Sequence, residues 1–283
     1  MEIRKLEKTN GFLCIDLPDA QLVVGTTRLA PKILQDGAEL LARSLTYTFA
    51  SFGLQHSGGS AGINSTPDAR DDAITAYMEE VASLVHDGRW LTWPGTGVTE
   101  DDLKPLRIAE TPRLDDPTLT AAGAVAAAGE LAGERVAIVG TGPVVDAARQ
   151  ALGAANADVV DGGLDADCHA LFLAGKAGMV DHDLADTVKA HVVVPLTPLP
   201  ITTKAYAVLS RASRTYVPDF VALAAPMLDA LDADSGDAVG RVRDLAAELM
   251  AEGPAAWMAA CRRAETFLQT WQEAPPFGRP LAS

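Results

Sequence analysis

Apolar residues recur along the first third of the chain in two rhythms. Residues 11–17 and 21–29 are short apolar-rich runs and predict two strands joined by a turn at Pro18-Asp19. In residues 37–54 the apolar positions Leu40, Leu41, Leu45, Phe49 and Phe52 fall at helical spacing. The small-residue run Ser57-Gly58-Gly59-Ser60-Ala61-Gly62 predicts a loop. Thr66-Pro67-Asp68 has the make-up of a helix start: a hydroxyl cap, a proline at the first position and an acid in the first turn. The helix it opens runs to about Val85, residues 89–93 predict a short strand, and 94–97 a turn.

Residues 105–117 carry three prolines among few large apolar groups and predict a linker between two units. Beyond it the pattern alternates: helix 118–131, strand 135–140, helix 143–153, strands 157–161 and 170–174, helix 181–189, strand 191–195. That order predicts an α/β fold with a parallel, doubly wound sheet. After Thr215-Tyr216-Val217 the pattern is helical, over roughly 219–232, 236–251 and 254–272, with Gly253-Pro254 separating the last two.

A length of 283 residues fits one large domain or two. Hydrophobic residues at 48% supply enough apolar surface to exclude disorder over most of the chain. The 38 acidic against 23 basic residues give a formal net charge of −15, with no basic run, which excludes a nucleic-acid partner and argues against an anionic membrane surface. Lysine occurs seven times and arginine sixteen, and acidic pairs recur at Asp71-Asp72, Asp101-Asp102 and Asp115-Asp116. Such a halophilic surface is expected where salt screens self-repulsion, so stability is expected to rise with molar salt. Cys14, Cys168 and Cys261 lie far apart without a CxxC or HExxH pattern, so neither disulfides nor a metal site is expected. Cys14 and Cys168 read as small core residues. The start of the chain is polar and no apolar run approaches about 18 residues, which makes the cytoplasm the expected compartment.

One glycine pattern carries chemistry. Gly140-Thr141-Gly142-Pro143-Val144-Val145 follows a strand and opens a helix, the context of a dinucleotide phosphate turn. Gly140 makes the tight turn, and Gly142 lets backbone approach a pyrophosphate at the positive helix end. Asp161, 21 residues after Gly140, stands where a ribose-binding acid belongs. The alternative is an ordinary strand–turn–helix. Only eight residues, Gly162 to His169, precede the next apolar run, too few for a crossover helix of a dozen or more residues. The adenosine floor of a Rossmann unit is therefore expected to be cut short.

The stretch Leu41-Ala42-Arg43-Ser44-Leu45-Thr46-Tyr47-Thr48-Phe49-Ala50 through Gly53-Leu54-Gln55-His56-Ser57-Gly58-Gly59-Ser60 resembles the glutamate/leucine/phenylalanine/valine dehydrogenases, nearest their leucine branch. Gly25-Thr26-Thr27-Arg28 is similar to that family's GGTR strand. Leu91-Thr92 through Gly97-Val98-Thr99 is similar to its segment ending in AEDVGTT. Thr120 to Gly123 is similar to its T-x-x-G helix, and Thr215-Tyr216-Val217-Pro218-Asp219-Phe220-Val221 to its YAPDYVINAGG segment. The resemblance spans about residues 14 to 230. It implies a substrate and oligomerisation domain over 1–112, a Rossmann-like nucleotide domain over 113–232, and C-terminal helices over 233–283 that return to the first domain. It also implies NAD or NADP as cofactor, bound at Gly140, Gly142 and Asp161 with the nicotinamide side towards Thr120, a small-molecule ligand, and a homo-oligomer.

The family's reaction is oxidative deamination of an amino acid with hydride transfer to NAD(P). One lysine binds the substrate carboxylate, and a second activates water beside a carboxylate acid/base. Position by position, the two lysines fall on Thr48 and Ser60 and the aspartate on Gly95. The asparagine of the last segment falls on Leu223 and its second glycine on Pro226. A hydroxyl cannot replace an ammonium as counter-ion to a buried carboxylate, a loss on the order of 2–5 kcal/mol. Loss of the acid/base group removes roughly a further 10²–10⁴-fold in rate. The parent reaction is therefore expected to be absent. His56 and Ser57 are the candidates for a replacement site, as acid/base and as oxygen ligand; the alternative is a loop histidine beside a small turn residue. Two functions fit: an oxidoreductase relative with weak NAD(P) affinity and another substrate, or a catalytically silent binding or regulatory homologue.

Overall fold

The computed structural model describes residues 1–106, 114–231 and 236–283. The expected linker at 105–117 and the expected boundaries at 112 and 232 lie wholly or partly outside the described residues. Two compact units are present, Met1–Pro112 with Ala264–Pro280, and Arg113–Arg263 with Leu281–Ser283.

The first unit is built on β1 (Glu2–Lys5), β2 (Gly11–Ile15), β3 (Val23–Ala30), α1 (Gln35–Ser51), β4 (Ser57–Asn64), α2 (Arg70–His86), β5 (Trp90–Pro94) and α3 (Glu100–Leu103). Its sheet has the order β1-β2-β4-β3-β5. β2 runs antiparallel to β1 and β4, while β3 runs parallel to β4 and β5. Ala38 and Ala42 of α1 pack on one face with Phe12 and Cys14. On the other face Ile74, Tyr77 and Val81 of α2 join Leu13, Ile15, Val23, Ala61, Ile63 and Trp90.

The run Ser57–Gly62 forms most of β4, a buried strand and not the expected loop. Helix α1 lies so close that a Cβ at Gly58 would sit 1.8 Å from the Ala42 carbonyl oxygen. On the opposite face a Cβ at Gly59 would meet Trp90 and Val23 at 2.7 Å. The residues are small because both faces are tightly covered. The helix start also differs. Thr66 precedes a short 3-10 turn, and its hydroxyl makes no cap bond to backbone. It bonds the Asp68 carboxylate instead, which holds that carboxyl below its usual range.

The C-terminal segment of this unit is stitched down by Arg43. Its Nε donates to both oxygens of Asp16, at 2.8 and 2.9 Å, and its Nη1 donates to the carbonyls of Phe277 and Gly278. Tyr47 and Arg279 both bond Glu265.

The second unit contains α4 (Pro117–Ala127), β6 (Arg135–Val139), α5 (Pro143–Ala154), β7 (Asp158–Val160), β8 (Ala170–Leu173), α6 (His182–Thr187), β9 (Val192–Pro195), α7 (Thr203–Arg211), β10 (Thr215–Tyr216), α8 (Asp219–Ala222), α9 (Ala225–Leu231), α10 (Ala238–Met250) and α11 (Ala256–Leu268), whose last residues belong to the first unit. Its sheet is parallel throughout, in the order β10-β9-β8-β6-β7. After β7 the chain crosses to β8 on the other side of β6, which makes β6/β8 the point where the strand order reverses. Helix α4 packs against α5 and α10. Asp116 caps α4 and Asp181 caps α6, each through two backbone N–H groups.

Residues 161–169 join β7 to β8 without a helix, and the short β7 is the sheet edge. The shortened Rossmann-like unit is thus observed. The three cysteines are buried. Among the described residues no helix is long and apolar enough to cross a membrane.

Candidate functional sites

In the first unit the three parent positions fall at different places. Thr48 lies within α1, buried, and its hydroxyl donates to the Ser44 carbonyl at 3.2 Å, one turn back in the same helix. Ser60 is buried in β4, with Cys14 and Thr26 as register partners. Gly95 follows β5, and its N–H donates to the Thr27 carbonyl at 2.8 Å.

Arg28 brings Ser60 and Gly95 together. Its Nη2 donates to Ser60 Oγ at 3.2 Å. Its stem passes over Gly95, where a Cβ would lie 2.7 Å from Arg28 Cγ. The space expected for a catalytic carboxylate is therefore taken by the stem of an arginine. Burial pulls the guanidinium below its ordinary value. In the sequence Arg28 stands out only as the last residue of the Gly25–Arg28 strand motif. The available signal was a single charge inside the otherwise uncharged run Val23–Ala30.

His56 and Ser57 do not join this group. Ser57 is three residues from Ser60 on the same strand, so period-2 alternation turns it to the opposite face. Its hydroxyl accepts from Leu17 N–H at 2.8 Å and donates to the Gly58 carbonyl at 3.0 Å, which fixes the chain after β2. His56 meets Phe49 edge-on with ring centroids 5.5 Å apart.

A groove of about 830 Å³ in this unit is lined by Asp16, Glu39, Arg43, Trp271, Phe277 and Arg279. Its two arginines are held by Asp16, Glu265 and backbone carbonyls. Burial of Asp16 pushes its carboxyl up, against the pull of Arg43.

In the second unit the glycine turn sits between β6 and α5. Gly140 has φ +127°, and a Cβ there would lie 2.1 Å from the Ala174 carbonyl oxygen at the end of β8. Gly142 has φ +112° with open space where a Cβ would stand. Only glycine accepts either position without strain. The N–H groups of Val145 and Asp146 turn back to the Gly142 carbonyl, and Pro143 has none. Among these first helical residues that leaves the N–H of Val144 for an anion. Val145, where the motif calls for a small residue, is buried on the inner face of α5.

Asp161 lies just past β7 and is exposed. The Thr120 hydroxyl donates to the Asp116 carbonyl at 2.8 Å, within its own helix. The residues present fit a phosphate group at the β6–α5 turn. They do not supply the strand and helix that normally wall an adenosine. The exposed trio Asp181, His182 and Asp183 has ligand atoms within 4.8 Å of one another, but Asp181 is engaged as the cap of α6.

No family model matches the chain, and no curated protein matches it in sequence. Solved structures do match in fold. The hetero-hexameric glutamate dehydrogenase of Thermus thermophilus, in its Leu-bound form, superposes with a TM-score of 0.72 at 18% identity, covering 90% of this chain and 83% of that one. The L-tryptophan dehydrogenase of Nostoc punctiforme gives a TM-score of 0.70 at 20% identity, covering 95% and 97%. Another glutamate dehydrogenase gives 0.74 at 14% identity, covering 96% and 85%. The chain has the amino-acid dehydrogenase fold.

Proposed function

We propose that this protein is an NAD(P)-dependent oxidoreductase relative that no longer deaminates amino acids, and that it binds a small molecule together with a weakly held dinucleotide. The observation that carries this reading is Arg28 lying over Gly95. Residue 95 has neither the carboxylate nor the room for one, and the lysine positions hold hydroxyls, one of them turned back into its own helix. Fold alone does not carry activity when the reacting groups are gone.

The likeness in fold and the glycine turn support NAD(P) as the cofactor. A bound nicotinamide dinucleotide supplies hydride transfer. Toward it the chain offers the close backbone at Gly140 and Gly142, the first-turn N–H of Val144, and the Asp161 carboxylate for a ribose. No metal is invoked.

The test is reduced-nicotinamide absorbance with purified protein in high salt, given leucine, valine, phenylalanine or glutamate with NAD or NADP. No turnover is expected. Oxidation of any of them at an ordinary enzymatic rate overturns the reading. A second reading, a silent regulatory subunit, is favoured by the description of one structural neighbour as hetero-hexameric. Light scattering of the chain alone, then mixed with an active dehydrogenase from the same cell, separates a homo-oligomer from a mixed one.

A further inference from the structure

The parallel sheet of the second unit begins on a row of basic side chains. Arg135, His169, His191 and Arg214 come immediately before the register-paired residues Val136, Ala170, Val192 and Thr215. Backbone bonds hold the row together. His169 N–H donates to the Arg135 carbonyl at 2.8 Å, His191 N–H to that of His169 at 3.0 Å, and Thr215 N–H to that of His191 at 2.9 Å. The side chains meet as well. The His169 and His191 rings have centroids 6.1 Å apart, and Arg214 Nη1 lies 3.4 Å from His191 Nδ1. Acids gather at the other end of the row. Asp158 is the register partner of Arg135, and Asp167 lies 3.6 Å from its Nη1. Glu134 Oε2 is 4.0 Å from His169 Nδ1. Among the described residues no carboxylate pairs with His191 or Arg214, and the buried Nε of Arg214 has no hydrogen-bond partner. His191 is exposed while His169 and Arg214 are half-buried, so a small molecule can reach all three from solvent.

The Arg214–His191 contact decides between a cation and an anion. A guanidinium cannot accept a hydrogen bond, so Nδ1 of the neutral ring is the acceptor and the ring proton stands on Nε2. Neither nitrogen then has a lone pair for a metal, and the guanidinium charge beside the ring repels a divalent cation. The same arrangement points an N–H donor from Nε2. We propose that His169, His191 and Arg214 form a seat for a phosphate group, free or at the end of a small metabolite. Three donor side chains in a row suit an anion with several oxygens, and the guanidinium fork matches phosphate. A dianion beside two imidazoles favours their charged form, in which both nitrogens donate. The seat lies at the start of β6, at Arg135, whereas the glycine turn follows its last residue, Val139. It is therefore independent of the dinucleotide reading above.

The test is titration of the nitrogen-labelled full chain with inorganic phosphate, followed by NMR of the histidine ring signals. The chain has five histidines, and His169→Gln and His191→Gln assign the two that matter. Sodium chloride at equal ionic strength and equal pH is the control. Phosphate is expected to move the His169 and His191 signals saturably and to leave those of His56, His86 and His182 where chloride leaves them. Arg214→Gln is expected to weaken phosphate binding by about tenfold or more, the loss of a hydrogen bond to a charged group. His191→Gln, at an exposed position, is expected to weaken binding by about tenfold at the His169 signal and decides the matter if Arg214→Gln fails to fold. Glycerol 3-phosphate identifies the source: tighter binding than inorganic phosphate assigns a phosphorylated metabolite, and equal or weaker binding assigns the free anion. The proposal is overturned if the pair does not respond, if all five signals move alike, if both variants bind phosphate unchanged, or if zinc chloride moves the pair and phosphate does not. Phosphate held at the glycine turn leaves the two ring signals unmoved, so failure here does not bear on the dinucleotide reading.

Discussion

Arg28 and Gly95 share one space. A side chain at 95 begins 2.7 Å from Arg28 Cγ and 3.2 Å from the Thr27 carbonyl oxygen, so the arginine stem lies there because residue 95 has no Cβ. Gly95→Ala forces the stem aside and is expected to cost about 1–3 kcal/mol, the range for overpacking. The same substitution in an Arg28→Ala background meets only the carbonyl and is expected to cost less. A double-mutant cycle from urea unfolding checks this: a coupling of about 0.5 kcal/mol or more supports a shared space, and strict additivity contradicts it.

Gly58 and Gly37 test opposite consequences of the same atom. At Gly58 a Cβ would lie 1.8 Å from the Ala42 carbonyl oxygen and 2.7 Å from the Thr46 nitrogen, both backbone atoms of α1. At Gly37, within the first turns of α1, a Cβ would meet nothing within 4 Å. Gly58→Ala is therefore expected to cost more than about 3 kcal/mol or to prevent folding. Gly37→Ala is expected to stabilise by about 0.5–1 kcal/mol through helix propensity. Denaturant midpoints of the two variants decide it. Similar small effects at both positions contradict the close approach of α1 to β4.

Gly58 and Gly59 also show why part of the fold could be read from sequence and part could not. A run such as Ser57–Gly62 looks the same whether its residues are small to turn the chain or small to admit a helix above and a tryptophan below. Only tertiary packing separates the two cases. Strand β1 and helix α7 escaped the hydrophobic pattern because each buries little: β1 has no buried residue, and α7 buries only Ala205 and Leu209. The β6–α5 turn was legible, because positive φ demands glycine locally. The truncation after Asp161 was legible too, because chain length alone forbids a crossover helix. Arg28 does not stand out in the sequence, because its stem over Gly95 and its bond to Ser60 are contacts that only tertiary packing brings together.

Asp102 supplies a pH test within the first unit. Burial pushes its carboxyl up, but hydrogen bonds from Arg70 and from the N–H and hydroxyl of Thr99 outweigh this and hold it below the usual range. A folded-state pKa below the unfolded one gives stability that is present above the unfolded value, near 3.9, and lost as pH falls through the lower folded value. Asp102→Asn is expected to cost about 1 kcal/mol near pH 7, a figure kept small for solvent screening. The gap from wild type is expected to shrink as the pH drops below about 4. Urea midpoints at both ends of that window provide the check. A constant gap places the effect in packing and not in charge.

The nucleotide seat should bind, and bind poorly. Two features favour a pyrophosphate: the open space at Gly142 and the positive end of α5, twelve residues long. Three features weaken it. Pro143 has no N–H, Val145 and Asp146 spend theirs on Gly142, and residues 161–169 contribute no helix beside the β7 edge. A contact from Asp161 to a ribose is worth about 1.5–3 kcal/mol, which cannot replace an adenosine pocket. The expected Kd for NAD or NADP by calorimetry in molar salt is above about 100 µM, or less than about 5.5 kcal/mol of binding energy. Asp161→Ala is expected to weaken it further by about tenfold or more. Gly142→Val is expected to abolish it, since a side chain at φ +112° is strained and fills the space the phosphate needs. Sub-micromolar affinity in the wild-type protein would mean that other residues rebuild the adenosine wall, and the weak-cofactor reading would fall.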